Sequence, residues 1–150
     1  LNNIVWMVRT FPFFAIFGSG DFIIQPVFVD DLASIAIEAA NDENKSIIVD
    51  AIGSEKYTFK KLIKFIAQTI GKNPLLINVN PSLGVLLGKI ISLYVNDIIL
   101  TEDELKGLMD SILSSQQLPN CPTKFSQWLQ ENALTIGVKY RSQLERNYRF

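Results

Sequence analysis

The sequence predicts an α-rich α/β fold with a few short strands and at least five helices. Three observations lead there. Apolar residues make up 48% of the 150 residues and charged residues only 19%, which allows a sizeable core and argues against a disordered chain. Short β-branched or aromatic runs alternate with longer segments whose apolar residues recur at helical spacing. Glycine, proline and capping residues fall at the boundaries between them.

Taken in order, residues 3–11 read as the end of an apolar helix or a short buried segment. Residues 11–17 (Phe-Pro-Phe-Phe-Ala-Ile-Phe) are too aromatic for a surface loop. Gly18-Ser19-Gly20-Asp21 is a turn by composition, with glycines free to take positive φ. Residues 22–29 read as extended, and Pro26 bars a central ladder donor there. Asp30 is expected to N-cap the following helix, with Asp31 adding negative charge at the positive end of its dipole. Leu32, Ile35, Ala36, Ala39 and Ala40 then recur at helical spacing.

Residues 46–53 look like the clearest strand, β-branched and closed by Gly53. Thr58 should cap a helix over 59–70, with Gly71 as its left-handed stop and Pro74 barring continuation. Residues 75–79 form a short strand. Asn80-Pro81 opens a third helix, with proline in its first turn. The aliphatic run that begins at Leu83 and closes at Val95 is shorter than the ~20 residues needed to span a bilayer. It is expected to be a buried helix, with an interfacial membrane helix as the alternative. Thr101-Glu102-Asp103-Glu104 is a capping box for a helix reaching about residue 114. A polar loop over 114–122, a short helix over 123–132 carrying Trp128, and a weakly packed helical tail over 140–146 complete the chain.

Composition excludes several functions. Lys and Arg number 14 against 15 Asp and Glu, a net charge of −1, which argues against nucleic acid as a partner. There is no histidine, so a Ser-His-Asp or Cys-His site built from this chain alone is excluded and a zinc site lacks ligands. A carboxylate site is left open by composition, but the acidic residues are scattered without calcium-loop spacing and no metal site is expected. The one cysteine, Cys121, cannot form an internal disulfide, and a reduced, cytoplasmic setting is expected. The opening Leu1-Asn2-Asn3-Ile4 lacks both Met and a basic leader and reads as the middle of a longer protein.

The stretch Gln25-Pro26-Val27-Phe28-Val29-Asp30-Asp31-Leu32-Ala33, after the Gly18-Ser19-Gly20-Asp21 turn, resembles the C-terminal portion of NAD-dependent epimerases/dehydratases. These are extended or atypical short-chain dehydrogenases/reductases, and the similar branch is that of the NAD(P)-binding accessory subunit of respiratory complex I. Asp50-Ala51-Ile52-Gly53, Tyr57-Thr58-Phe59-Lys60-Lys61-Leu62, Gly71-Lys72-Asn73-Pro74 and Leu100-Thr101-Glu102-Asp103-Glu104-Leu105 follow in the family's order, over most of residues 10–113. The glycine-rich pyrophosphate loop is absent. Tyr57 and Lys61 have the spacing of the family's catalytic Tyr-x-x-x-Lys pair, but at a helix cap, where chance explains them. Aligned on Asp31, the arginine and histidine of relatives acting on nucleotide sugars fall at Ile24 and Phe28, so the guanidinium clamp for a diphosphate is missing.

The resemblance implies that residues 1–150 are the substrate-side C-terminal portion of a Rossmann-like NAD(P)-binding protein. NAD or NADP and the catalytic residues would belong to an N-terminal half outside this chain, which would be inactive alone. Phe13, Phe17, Gln25 and Phe28 would line a pocket for a small-molecule substrate, with Gln25 orienting a polar group. A second reading is an NAD(P)H-holding assembly subunit that docks to a protein or membrane surface through residues 83–95 and the apolar Ile98-Ile99-Leu100. A third is an unrelated α+β module, favoured if the segments around 22–29 and 47–52 do not pair.

Overall fold

The computed structural model of the chain describes residues 1–41, 48–97, 102–110 and 113–142. Among them are six helices and four short strands. The chain opens with helix α1 (Asn2–Thr10), whose Val5 and Val8 are fully buried. Strand β1 (Phe13–Phe17) follows, and its alternation directs Phe14 and Ile16 into the core while Phe13, Ala15 and Phe17 take the other face. Strand β2 (Ile23–Ile24) leads into helix α2 (Val29–Ala40). Strand β3 (Tyr57–Thr58) pairs antiparallel with β2 and runs directly into helix α3 (Phe59–Thr69).

Helix α3 organises the core. Its apolar stripe Phe59, Leu62, Ile63, Ile66 and Ala67 is buried against α1, β1 and the later helix α6 (Phe125–Glu131). Both ends follow from local chemistry. Thr58 Oγ1 accepts from the Lys61 amide at 3.2 Å. At the other end Lys72 N donates to Ala67 O and Gly71 N to Gln68 O, a Schellman closure with Gly71 at φ +68°. The chain returns as strand β4 (Leu75–Val79), parallel to β1 in the register Phe13↔Leu75 to Phe17↔Val79. Helix α4 (Pro81–Val95) starts on an Asn80 side-chain cap to Leu83 N at 2.8 Å, and helix α5 (Glu102–Met109) packs beside it.

After α6 the chain runs back along α1 as a strap. The Arg9 guanidinium donates to the carbonyls of Ala133 and Ile136. Gly137 lies at φ +67°, and a Cβ there would sit 2.6 Å from Trp6 N and 2.7 Å from the Val5 carbonyl carbon, so no other residue fits this crossing. Asn2 and Asn3 bind the strap at Gly137, Lys139 and Arg141.

Several expectations are corrected. Residues 48–52 are not a strand: Ile48 is fully exposed, and Ile52 bonds through its N and O to Asn120 and Cys121, leaving one isolated bridge, Gly53↔Cys121. The extended stretch after Phe22 pairs with Tyr57–Thr58 and not with residues 48–52. Helix α2 begins at Val29 with Phe28 as N-cap and no side-chain cap, so Asp30 is not the cap. The apolar residues that recur along α2 are half-buried or exposed, and none is buried. Helix α4 is only partly buried: Leu83, Leu86, Ile90, Leu93 and Tyr94 are exposed. Helix α5 ends at Met109, short of the expected 114, and Tyr140–Ser142 are not helical. Ser46, Ile47, Ile98, Ile99, Leu100, Thr101 and residues 143–146 of the expected tail helix lie outside the described residues. No helix among the described residues is long and apolar enough to cross a membrane.

Candidate functional site

A groove of about 1070 Å³ lies over β1 between α1 and α4, and the core residues Phe14 and Phe59 reach its lining. Phe13, Ala15 and Phe17 form its floor. Ile4 and Met7 of α1 line one side, and Leu87, Ile91 and Tyr94 of α4 the other. Leu108 of α5 and Leu113 add to the apolar lining. Polar groups at the groove are few: Asn2, Asn3, Asp103, Glu104, Arg141 and Ser142. A concave, largely apolar space with a few polar groups is the usual form of a small-molecule site.

The sequence explains how α4 comes down onto β1 at the groove. Gly84 and Gly88, one helical turn apart, are both buried and both line the groove. A Cβ at Gly84 would come within 2.5 Å of the Phe17 ring, so glycine lets the start of α4 rest directly on β1. The Gly-x-x-x-Gly spacing at 84 and 88, inside an aliphatic run, is the sequence signal for such a close approach. Phe17 stacks on Phe59 at 6.0 Å, which ties the floor to the core behind it.

The four pocket residues expected from sequence are not brought together. Phe13 and Phe17 line the groove, Phe13 being 45% exposed there. Gln25 is buried elsewhere: its Nε2 donates to Gly53 O at 2.7 Å, and its Oε1 accepts from Ser115 N at 3.2 Å. With both ends of the amide engaged by backbone, Gln25 pins two loops together and does not face the groove. Phe28 tilts against Trp128 at 6.4 Å. Asp31 is also a tie between loops, accepting from Thr123 N and Thr123 Oγ1, each at 2.9 Å. Asp30 stays exposed in the first turn of α2.

Two further polar clusters are structural in their bonding. Glu55 accepts from Ser126 N at 2.8 Å and Ser126 Oγ at 2.7 Å, capping α6 from outside, and from Tyr57 OH at 3.0 Å. Partial burial raises the Glu55 pKa, but these hydrogen bonds outweigh it and hold the carboxyl below its ordinary 4.5. Burial and the Glu55 carboxylate push the Tyr57 phenol up to about 12. A catalytic tyrosine of the Tyr-x-x-x-Lys type needs the opposite shift, and the Tyr57 hydroxyl is donated to Glu55. The Cys121 thiol is 1% exposed and is pushed up by burial. Among the described residues no group of three or more His, Cys, Asp or Glu is placed to hold a metal ion, and no buried side-chain nitrogen or oxygen lacks a partner.

Set against known proteins, the chain matches no protein-family model and no curated sequence.

Proposed function

We propose that this chain is the substrate-side portion of an NAD(P)-dependent oxidoreductase or epimerase/dehydratase-like protein, and that the groove takes the apolar part of a small-molecule substrate. The observation that carries the reading is the groove over Phe13 and Phe17, apolar within and polar at a few points. In this reading NAD or NADP, the Rossmann-like nucleotide-binding domain and the catalytic residues belong to an N-terminal half. The exposed apolar residues Val29, Leu32 and Ile37 of α2 support it, because they offer a surface for such a half to cover. The unmade pairing between residues 22–29 and 48–52 weighs the other way, toward an α+β module unrelated to that family.

The test has two arms. Calorimetric titration with NADH and NADPH should give no saturable heat, and the chain alone should have no dehydrogenase activity. An apolar fluorophore, anilinonaphthalene sulfonate, should bind saturably, and Ala15→Phe, which fills the floor, should abolish that binding without unfolding the chain. Saturable NADPH binding would overturn the assignment of the cofactor to a separate half. Probe binding unchanged by Ala15→Phe would overturn the groove as the site.

A second reading has its own observation. Leu83, Leu86, Ile90 and Leu93 form an exposed stripe at alternating three- and four-residue spacing along α4. That stripe suits an assembly subunit that holds NAD(P)H without turnover and docks through α4. A stoichiometric complex lost in Leu86→Lys would favour this reading, and a monomer indifferent to that change would remove it.

A further inference from the structure

We propose that the hydrogen bond from Tyr140 to Asp97 is a latch across the groove, and that α4 is the lid it holds. The inference rests on the reading of the groove as a ligand site.

The groove has two walls that are fixed differently. The α1 wall is tied to the core through Val5 and Val8, and the strap is bound to it by Asn2, Asn3 and Arg9. The α4 wall is anchored at its start, where Asn80 caps the helix, Gly84 meets Phe17, and Gly18 N donates to Val79 O at 2.8 Å. Beyond Gly88 no residue of α4 is buried, and Ile90, Leu93 and Tyr94 are more than half exposed. A segment with so little buried apolar surface opens at low cost.

At its far end α4 stops on Asn96, in the left-handed conformation at φ 52°. The next residue is Asp97, a carboxylate only 5% exposed. Its Oδ2 accepts from Tyr140 OH at 2.6 Å. Tyr140 is a strap residue, and its ring meets the edge of Trp6 on α1 at 5.1 Å. The bond therefore runs from the end of the α4 wall to the strap on the α1 wall. The strap residues that follow, Arg141 and Ser142, line the groove. Swinging α4 outward about its Asn80 end requires that this bond break. A phenol-to-carboxylate hydrogen bond is charge-assisted, and losing one shifts such an equilibrium by about tenfold.

The test is Tyr140→Phe, which keeps the ring on Trp6 and removes only the hydroxyl. Amide hydrogen exchange over residues 89–95, measured without ligand, should speed by about tenfold. Stopped-flow binding of anilinonaphthalene sulfonate should show association and dissociation faster by a similar factor, with Kd nearly unchanged. In an Asp97→Ala background, Tyr140→Phe should add little to either readout. Unchanged exchange over 89–95 would overturn the latch. A change in Kd carried by dissociation alone would also overturn it, since Tyr140 would then be a ligand contact. If exchange speeds but the wild-type chain binds no probe, the latch stands and the ligand reading of the groove fails.

Discussion

Replacing Gln25 by leucine separates a structural tie from a substrate contact. The side chain is 8% exposed, and leucine nearly fills its volume, so the cavity left is small. The cost lies in the two backbone groups it serves. Gly53 O loses its donor at 2.7 Å in a buried setting, and Ser115 N loses its acceptor at 3.2 Å in a half-buried one where water can reach. A buried orphaned carbonyl costs about 1–3 kcal/mol and a solvated amide less, so the sum is about 2–4 kcal/mol. For a chain of this length that lowers Tm by roughly 5–15 °C. Urea unfolding followed by far-ultraviolet circular dichroism should show a lower midpoint at unchanged m-value. Probe binding in the groove should persist in the folded fraction. A Gln25→Leu protein within about 0.5 kcal/mol of wild type would refute the assignment of Gln25 as a tie. Loss of ligand binding at full stability would restore the role expected from sequence.

Other consequences are equally direct. Glu55 has a folded pKa held below 4.5, so its contribution to stability is complete above pH 4.5 and is lost as pH falls through the lower folded value. Glu55→Gln should therefore flatten the acid limb of stability against pH, read by urea midpoints from pH 6 down to about pH 3. Gly84→Ala puts a Cβ 2.5 Å from two Phe17 ring carbons and should cost about 1–3 kcal/mol while weakening probe binding, measured by unfolding and by fluorescence. Cys121 should resist a disulfide-exchange reagent in native buffer and titrate as one thiol per chain in denaturant, because burial both hides it and raises its pKa.

What could be read from the sequence was local. Helix α3 lies between Thr58 and Gly71 as its caps predict, and Asn80-Pro81 opens α4, because each signal acts within one helical turn. Strand β4 falls on residues 75–79 as expected. Residues 48–52 have strand composition, but composition does not supply a neighbour. Asn120 and Cys121 take the Ile52 hydrogen bonds that a ladder would use. Asp30 looked like a cap by residue type, yet the helix begins before it, and the partner of Asp31 is Thr123, 92 positions away. The strap was illegible for the same reason: its bonds link Asn2 and Asn3 to residues more than 130 positions distant. Of the four expected pocket residues, the two on β1 line the groove through strand alternation. The two beyond the turn went to other neighbours.

The most direct test of the account is an isotope-edited NMR titration of the chain with anilinonaphthalene sulfonate and, separately, with NADPH. The account predicts saturable shifts from the apolar probe at the amides of Phe13, Ala15, Phe17, Gly84 and Gly88, and none from NADPH. Saturable NADPH shifts, or probe shifts confined to α2 or to the outer face of α4, would contradict it.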